Sequence, residues 1–149
     1  MQDGKSPPPW DPASSASFWI NRASRQILRL HEGRLRPLGF GMNQMPVLHA
    51  LGDGAALSQK ELARGARVEQ PTMAEMLARM ERDGVVQREP NPDDARGTLT
   101  SLTRSARLRL PKAKAALIQG EQEATAGLSA EEKVLLVSLL QRVVSNLEG

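Results

Sequence analysis

Cysteine and tyrosine are both missing from this 149-residue chain, and it holds only two histidines. Without a thiol there is no disulfide, no thiolate metal site, no cysteine nucleophile and no thiol redox sensor. His31-Glu32 is an adjacent pair, which is not a metal constellation. HExxH, the P-loop, GxSxG and GxGxxG are all absent. There are 17 acidic side chains, but no spacing among them points to an acid–base pair. The expectation is a protein that is not an enzyme and takes no metal or cofactor. Long apolar runs are lacking too: nothing approaches the roughly 20 residues that span a bilayer. The N-terminal stretch carries Pro7, Pro8, Pro9 and Pro12 and has no apolar core of signal-peptide type. Residues 1–13 are therefore expected to form a flexible tail on a cytoplasmic protein with no membrane partner.

What is present is unevenly placed charge. The net charge of +3 is mild, yet no acidic residue occurs between Ala95 and Gly120, where Arg96, Arg104, Arg107, Arg109, Lys112 and Lys114 lie. Arg22, Arg25, Arg29, Arg34 and Arg36 form a second cluster, interrupted only by Glu32. Local density of this kind attracts polyanions more than net charge does; a solvated helix face is the alternative.

Periodicity gives the order of elements. Ile20, Ala23, Ile27 and Leu30 recur at helical spacing, predicting a helix from Ser14 to about Leu38. Pro37, Gly39 and Gly41 break it. Met45, Leu48 and Leu51 mark a short second helix. Ser58 and Glu61 form a capping-box pattern that opens a third, with Leu57 placed to pack against Leu62 and Gly65 expected to close it. Val68–Asp83 is a fourth helix, with Pro71 tolerable in its first turn and Gly84 a natural stop. Val85–Glu89 and Leu99–Thr103 read as strands of a long-tipped hairpin around the turn-rich stretch Pro90–Gly97. Thr103 heads a fifth helix to about Gly120, which Pro111 should kink. Ser129 and Glu132 repeat the capping box before a sixth, whose stripe of Val134, Leu135, Leu139, Leu140, Val143, Val144 and Leu147 is wide enough to bury against another helix.

The fold class is thus mainly α. Two short helices joined by a tight turn and followed by a hairpin make a winged helix-turn-helix. Its expected span is residues 42–103, with an N-terminal dimerisation helix and loop over 14–41 and C-terminal dimerisation helices over 104–149. More apolar stripe lies on the first, fifth and sixth helices than one small winged domain covers. A homodimer explains this; a monomeric helical bundle is the alternative.

The fourth helix has two faces. Met73, Met76, Leu77 and Met80 share one, a core stripe rather than a functional methionine box. At about 100° per residue the opposite face holds Pro71, Glu75, Ala78 and Arg82, flanked by Thr72 and Arg79. A helix of this size fits the major groove of double-stranded DNA with its N-terminal residues at base edges. Gln70 and Thr72 are the candidates for that readout, unless they merely cap the helix. Ser58, Gln59 and Lys60 at the start of the third helix can meet phosphate, as can Arg64 and Arg67 at the turn. Arg96 at the wing tip fits the minor groove, and Arg88 is a phosphate contact or a wing brace.

The stretch Val68–Glu89, VEQPTMAEMLARMERDGVVQRE, followed by Asp94-x-Arg96 and a Leu-Thr pair, resembles the winged-helix core of the multiple antibiotic resistance regulator (MarR) family. The resemblance implies a homodimer on a pseudo-palindromic operator, often responsive to a small aromatic or phenolic ligand. It also implies that Asp94 holds the wing-tip arginine; a surface ion pair is the bland alternative. A ligand would lodge between the dimer helices and the winged domain, where Trp19, Met42, Met45 and His49 lie, although either histidine can equally be satisfied or exposed. Two departures stand out: Ala95 occupies a position that is basic in many relatives, and Glu75 puts an acid on the groove-facing side. Glu75 would repel phosphate unless it accepts from a cytosine amino group. These departures leave open a protein-interaction module that uses the winged helix without DNA. The expected function is a sequence-specific transcription regulator, acting as a repressor released by an effector.

Overall fold

A computed structural model describes residues 6–149. Side-chain caps start most of its helices. Ser15 accepts from the Phe18 amide and opens α1, Ala16–Leu35. That helix stops three residues earlier than its apolar pattern predicts. Pro37 cannot extend an α-helical ladder, so Arg36–Leu38 tightens into a 3-10 turn, and Gly39 reverses the chain at φ 82°. Of the expected flexible tail, Met1–Lys5 lie outside the described residues, and its last residues are fastened down. Asp11 caps a 3-10 turn over Pro12–Ser14, and the Trp19 indole donates to the Ala13 carbonyl at 2.8 Å.

A second 3-10 turn, Met42–Gln44, leads into α2, Met45–Leu51. The Met42 amide donates to Glu32 Oε1 at 2.7 Å, tying this turn to α1. The predicted capping box is present on α3, Gln59–Ala66: the Glu61 amide donates to Ser58 Oγ at 3.2 Å and the Ser58 amide to Glu61 Oε2 at 2.8 Å. Gly65 does not close that helix. It continues through Ala66, and Arg67 takes the left-handed conformation instead, at φ 56°. Left-handed backbone costs a residue with a side chain about 1–2 kcal/mol; here the Arg67 amide bonds back to α3 carbonyls and so shuts the helix end.

Helix α4, Gln70–Arg82, begins two residues later than expected, with Pro71 in its first turn. Its N-cap is Glu69, which makes no side-chain cap bond. Met73, Leu77 and Met80 are fully buried and Met76 half-buried, as the stripe predicts. The wing departs from its predicted shape. Strands β1, Val86–Asn91, and β2, Asp94–Leu102, run close to the tip, leaving Pro92 and Asp93 between them. The register passes from Pro90↔Thr98 to Asn91↔Asp94, so Ala95, Arg96 and Gly97 bulge out of the ladder. Pro90 brings no N–H to that point. Asn91 Oδ1 takes the Asp93 amide and Asp94 Oδ1 the Arg96 amide, which holds the tip without ladder bonds. Leu57 adds a one-residue third strand, exchanging both backbone bonds with the buried Thr100.

Thr103 caps α5, Arg104–Ala124, and its hydroxyl donates to the Gly84 carbonyl at 2.7 Å. The helix is continuous through Pro111. Ala106, Leu110, Ala113 and Gly120 form its buried edge, and α1 packs beside it. A Cβ on Gly120 would sit 2.7 Å from His31 Cε1, so the two helices meet there through a glycine. The second predicted capping box, Ser129 with Glu132, starts α6, Ala130–Glu148. Leu35, Phe40, Leu48, Leu51, Leu62, Met73, Leu77, Val86, Leu102 and Leu110 share one core, which closes the winged domain onto the adjoining ends of α1 and α5. α6 buries nothing in it. Among the described residues, no helix is long and apolar enough to cross a membrane.

Candidate nucleic-acid interface

The two helices of the central motif are held by short local ties. The Val68 amide returns to the Ala63 carbonyl at 3.1 Å, and Gln59 Nε2 donates to the Gln70 carbonyl at 3.4 Å. With Met73, Leu77 and Met80 turned inward, Gln70, Pro71, Thr72, Glu75 and Arg79 all lie on the exposed side of α4. Neither Gln70 nor Thr72 serves as the helix cap. Beside this face lies a cleft of about 150 Å³, lined by Thr72, Glu75, Met76 and Arg79 together with Asn43 and Gln44. Sequence reasoning missed those last two. Nothing local marks them, because their 3-10 turn meets α4 only through the folded core.

Lys60 and Arg64 are exposed on α3. Ser58 is less available to a phosphate than its position implies, since its amide is already given to Glu61. That same Ser58 N–H, with the Ser58 hydroxyl next and Arg64 adding a little, holds the Glu61 carboxyl below its ordinary value. A charged Glu61 therefore sits where the anion-attracting amides of α3 begin.

Arg67 was expected to be free for phosphate. Instead its Nη1 donates to both carboxylate oxygens of Glu148, at 2.8 Å each. Arg88 is half-buried on β1, with Nε 3.8 Å from Glu81 Oε2. Arg96 is exposed on the bulge and forms no ion pair among the described residues. Asp94 Oδ1 accepts from the Arg96 backbone amide at 3.0 Å, and among the described residues no ion pair joins its carboxylate to the Arg96 guanidinium. One member of the basic run turns inward: Arg109 donates to the Leu38 carbonyl and lies 5.0 Å over the Phe40 ring. Glu75 and Ala95 are both exposed, as their expected places require.

Trp19, Met42, Met45 and His49 line neither the cleft beside α4 nor the cavities along α6 and around Gly33. Trp19 is half-exposed near the start of α1 and His49 is exposed on α2, while Met42 and Met45 pack half-buried against the core. The larger cavities open instead along α6 and around Arg29, Glu32, Gly33, Arg36 and Pro37. Among the described residues, no group of three or more histidines and carboxylates is placed to hold a metal ion.

A chain with this arrangement presents an exposed helix face and an exposed arginine on the ribbon packed against that helix, the layout by which winged helices engage a duplex. Comparison with known proteins agrees. A family model described as MarR family matches residues 38–97. The uncharacterised HTH-type transcriptional regulator YwoH of Bacillus subtilis is 31% identical over 114 residues, covering 76% of this chain and 82% of that protein. Transcriptional regulator HosA of Escherichia coli is 33% identical over 102 residues, 68% of this chain and 76% of that protein. A crystal structure of mutant MarR from Escherichia coli complexed with operator DNA superposes with a TM-score of 0.76 at 30% identity, over 85% of this chain and 91% of that one.

Proposed function

Because the chain belongs to the MarR family of DNA-binding transcription regulators, which are not enzymes, we propose that it acts in the cytoplasm as a homodimer on a pseudo-palindromic operator. Residues 42–103 form the reading head, and 14–41 with 104–149 the dimerisation helices. In this reading α4 enters the major groove. Gln70 and Thr72 meet base edges, Pro71 and Arg79 line the groove wall, and Glu75 accepts from a cytosine amino group. Gln59, Lys60 and Arg64 approach the phosphates. Arg67 joins them on release from Glu148, and Ser58 contributes through its hydroxyl hydrogen. Arg96 enters the minor groove, with Asp94 and Arg88 shaping the wing behind it. Occupying the promoter makes the protein a repressor. A small aromatic or phenolic ligand releases it by binding one arrangement of the two heads better than the other.

The observation that carries this reading is the exposed face of α4 together with the exposed Arg96 on the bulged tip of the wing that packs against that helix. The dimer is supported by α6, an amphipathic helix that buries no residue within its own chain. The test is a gel shift with duplex from the chain's own upstream region under excess competitor, followed over a salt series. Arg96→Ala is expected to weaken binding about ten-fold and to reduce the salt slope by about one phosphate equivalent. Thr72→Ala should change base preference rather than lower all affinities alike. An unshifted duplex at low salt would return the winged helix to a protein-interaction role.

A further inference from the structure

Arg109 lies on α5 but spends its side chain on the loop between α1 and α2. Its Nη1 donates to the Leu38 carbonyl, its Nε to the Ser105 carbonyl of its own helix at 3.3 Å, and its guanidinium lies 5.0 Å over the ring of Phe40, a core residue only 4% exposed. Gly39 completes the cradle. It adopts φ 82°, and a Cβ there would collide with Arg109 Nη1. No carboxylate balances this half-buried cation among the described residues. An apolar side chain could fill such a gap without desolvating a charge, so filling the gap does not account for the arginine.

The position of the cradle supplies a reason. Only Thr103 separates the end of β2 from the start of α5, and its hydroxyl bonds that start to the Gly84 carbonyl, so the first turns of α5 move with the wing. Leu38–Phe40 is the exit from α1. The same loop is pinned from its other side, where Glu32 of α1 takes the Met42 amide. Arg109 therefore ties the first turns of α5, which are bonded to the wing, to the exit of α1, and Glu32 ties α1 to the first residue of the reading head. We propose that Arg109 is a positioning residue that fixes the tilt of the reading head against α1, and thereby the distance between the two recognition helices of a dimer. It touches no DNA itself. The proposal rests on the dimeric regulator described above.

Half-site spacing mirrors the separation of recognition helices, so spacing is the readout. The probe is a duplex selected from a random pool by the unaltered protein, compared with copies carrying one base pair more or fewer at the centre. Arg109→Lys keeps the charge but loses the planar fork that serves two carbonyls and a ring together; Gly39→Ala evicts the guanidinium from the other side. The unaltered protein should favour the selected spacing by about ten-fold or more, and both variants should reduce that preference to about three-fold or less. Both are assayed well below their melting temperatures, with folding checked by circular dichroism. A merely structural role would lower affinity for all spacings equally, and that result overturns the proposal while leaving the regulator intact. An unaltered protein that selects no duplex, or binds every spacing alike, overturns the dimeric reading and this proposal with it.

Discussion

The reading head and the last helix use apolar residues in opposite ways. In the head, Met73, Leu77 and Met80 of α4 are sealed against Leu51, Val86 and Leu102, and the chain needs nothing else to bury them. In α6, Val134 is 71% exposed, Leu147 82%, and no residue is buried. Both helices are amphipathic, but only one has found its complement within the chain. The difference separates two situations: α4 is held from behind so that its front is free, whereas α6 finds no burying surface among the described residues.

The largest test of that contrast is Leu77→Ala. Emptying a fully buried site should cost about 2–5 kcal/mol in urea unfolding. A loss under about 1 kcal/mol would mean that the head is not closed as described. Next is Leu140→Asp on α6. Its fold should survive, since the side chain is already part-exposed, but an unpaired charge in a protein–protein contact should weaken self-association about 100-fold, roughly 2.7 kcal/mol. Sedimentation would show one copy where the unaltered protein shows two, and an unchanged mass would remove the contrast.

Ser58→Ala comes third, at about 1 kcal/mol for a lost cap. It has a pH signature. Glu61 titrates below its ordinary value in the folded chain, chiefly through the Ser58 N–H. Its contribution is therefore complete above the unfolded carboxylate value and fades as the pH falls through the folded one. The alanine variant, which loses the hydroxyl half of the box, should show a shallower acid-side decline in stability. Smallest is Glu148→Gln, which frees Arg67 at an exposed pair worth about 0–1 kcal/mol. Operator affinity should rise, by less than about five-fold, and the gain should vanish at high salt. A loss of affinity would instead make the pair a brace for the α3–α4 turn.

What the sequence showed in advance was local. Ser58 with Glu61, Ser129 with Glu132, and Thr103 each act within three residues, and all cap the helices expected of them. The methionine stripe of α4 follows from periodicity alone. What was hidden depends on distant parts of the chain or on backbone choices that several residue types can make. Gly65 has the composition of a helix stop, but the left-handed turn falls on Arg67, where the chain must swing into α4. Pro90–Gly97 reads as a loop because its residues favour turns; paired strands confine that turn to two residues and push the rest into a bulge around Arg96. Arg67 meets Glu148 from 81 positions away and Arg109 meets Leu38 from 71, so counting charges along the chain could not tell a spent arginine from a free one.

The glycine at 120 has a bearing on how this sequence can drift. His31 fills the space a methyl group would need, so position 120 is not free to change on its own. An alanine at 120 becomes acceptable once a smaller residue stands at 31, and the imidazole is lost more readily than the glycine is replaced. Among descendants of this chain, those two sites should be inherited as a matched pair.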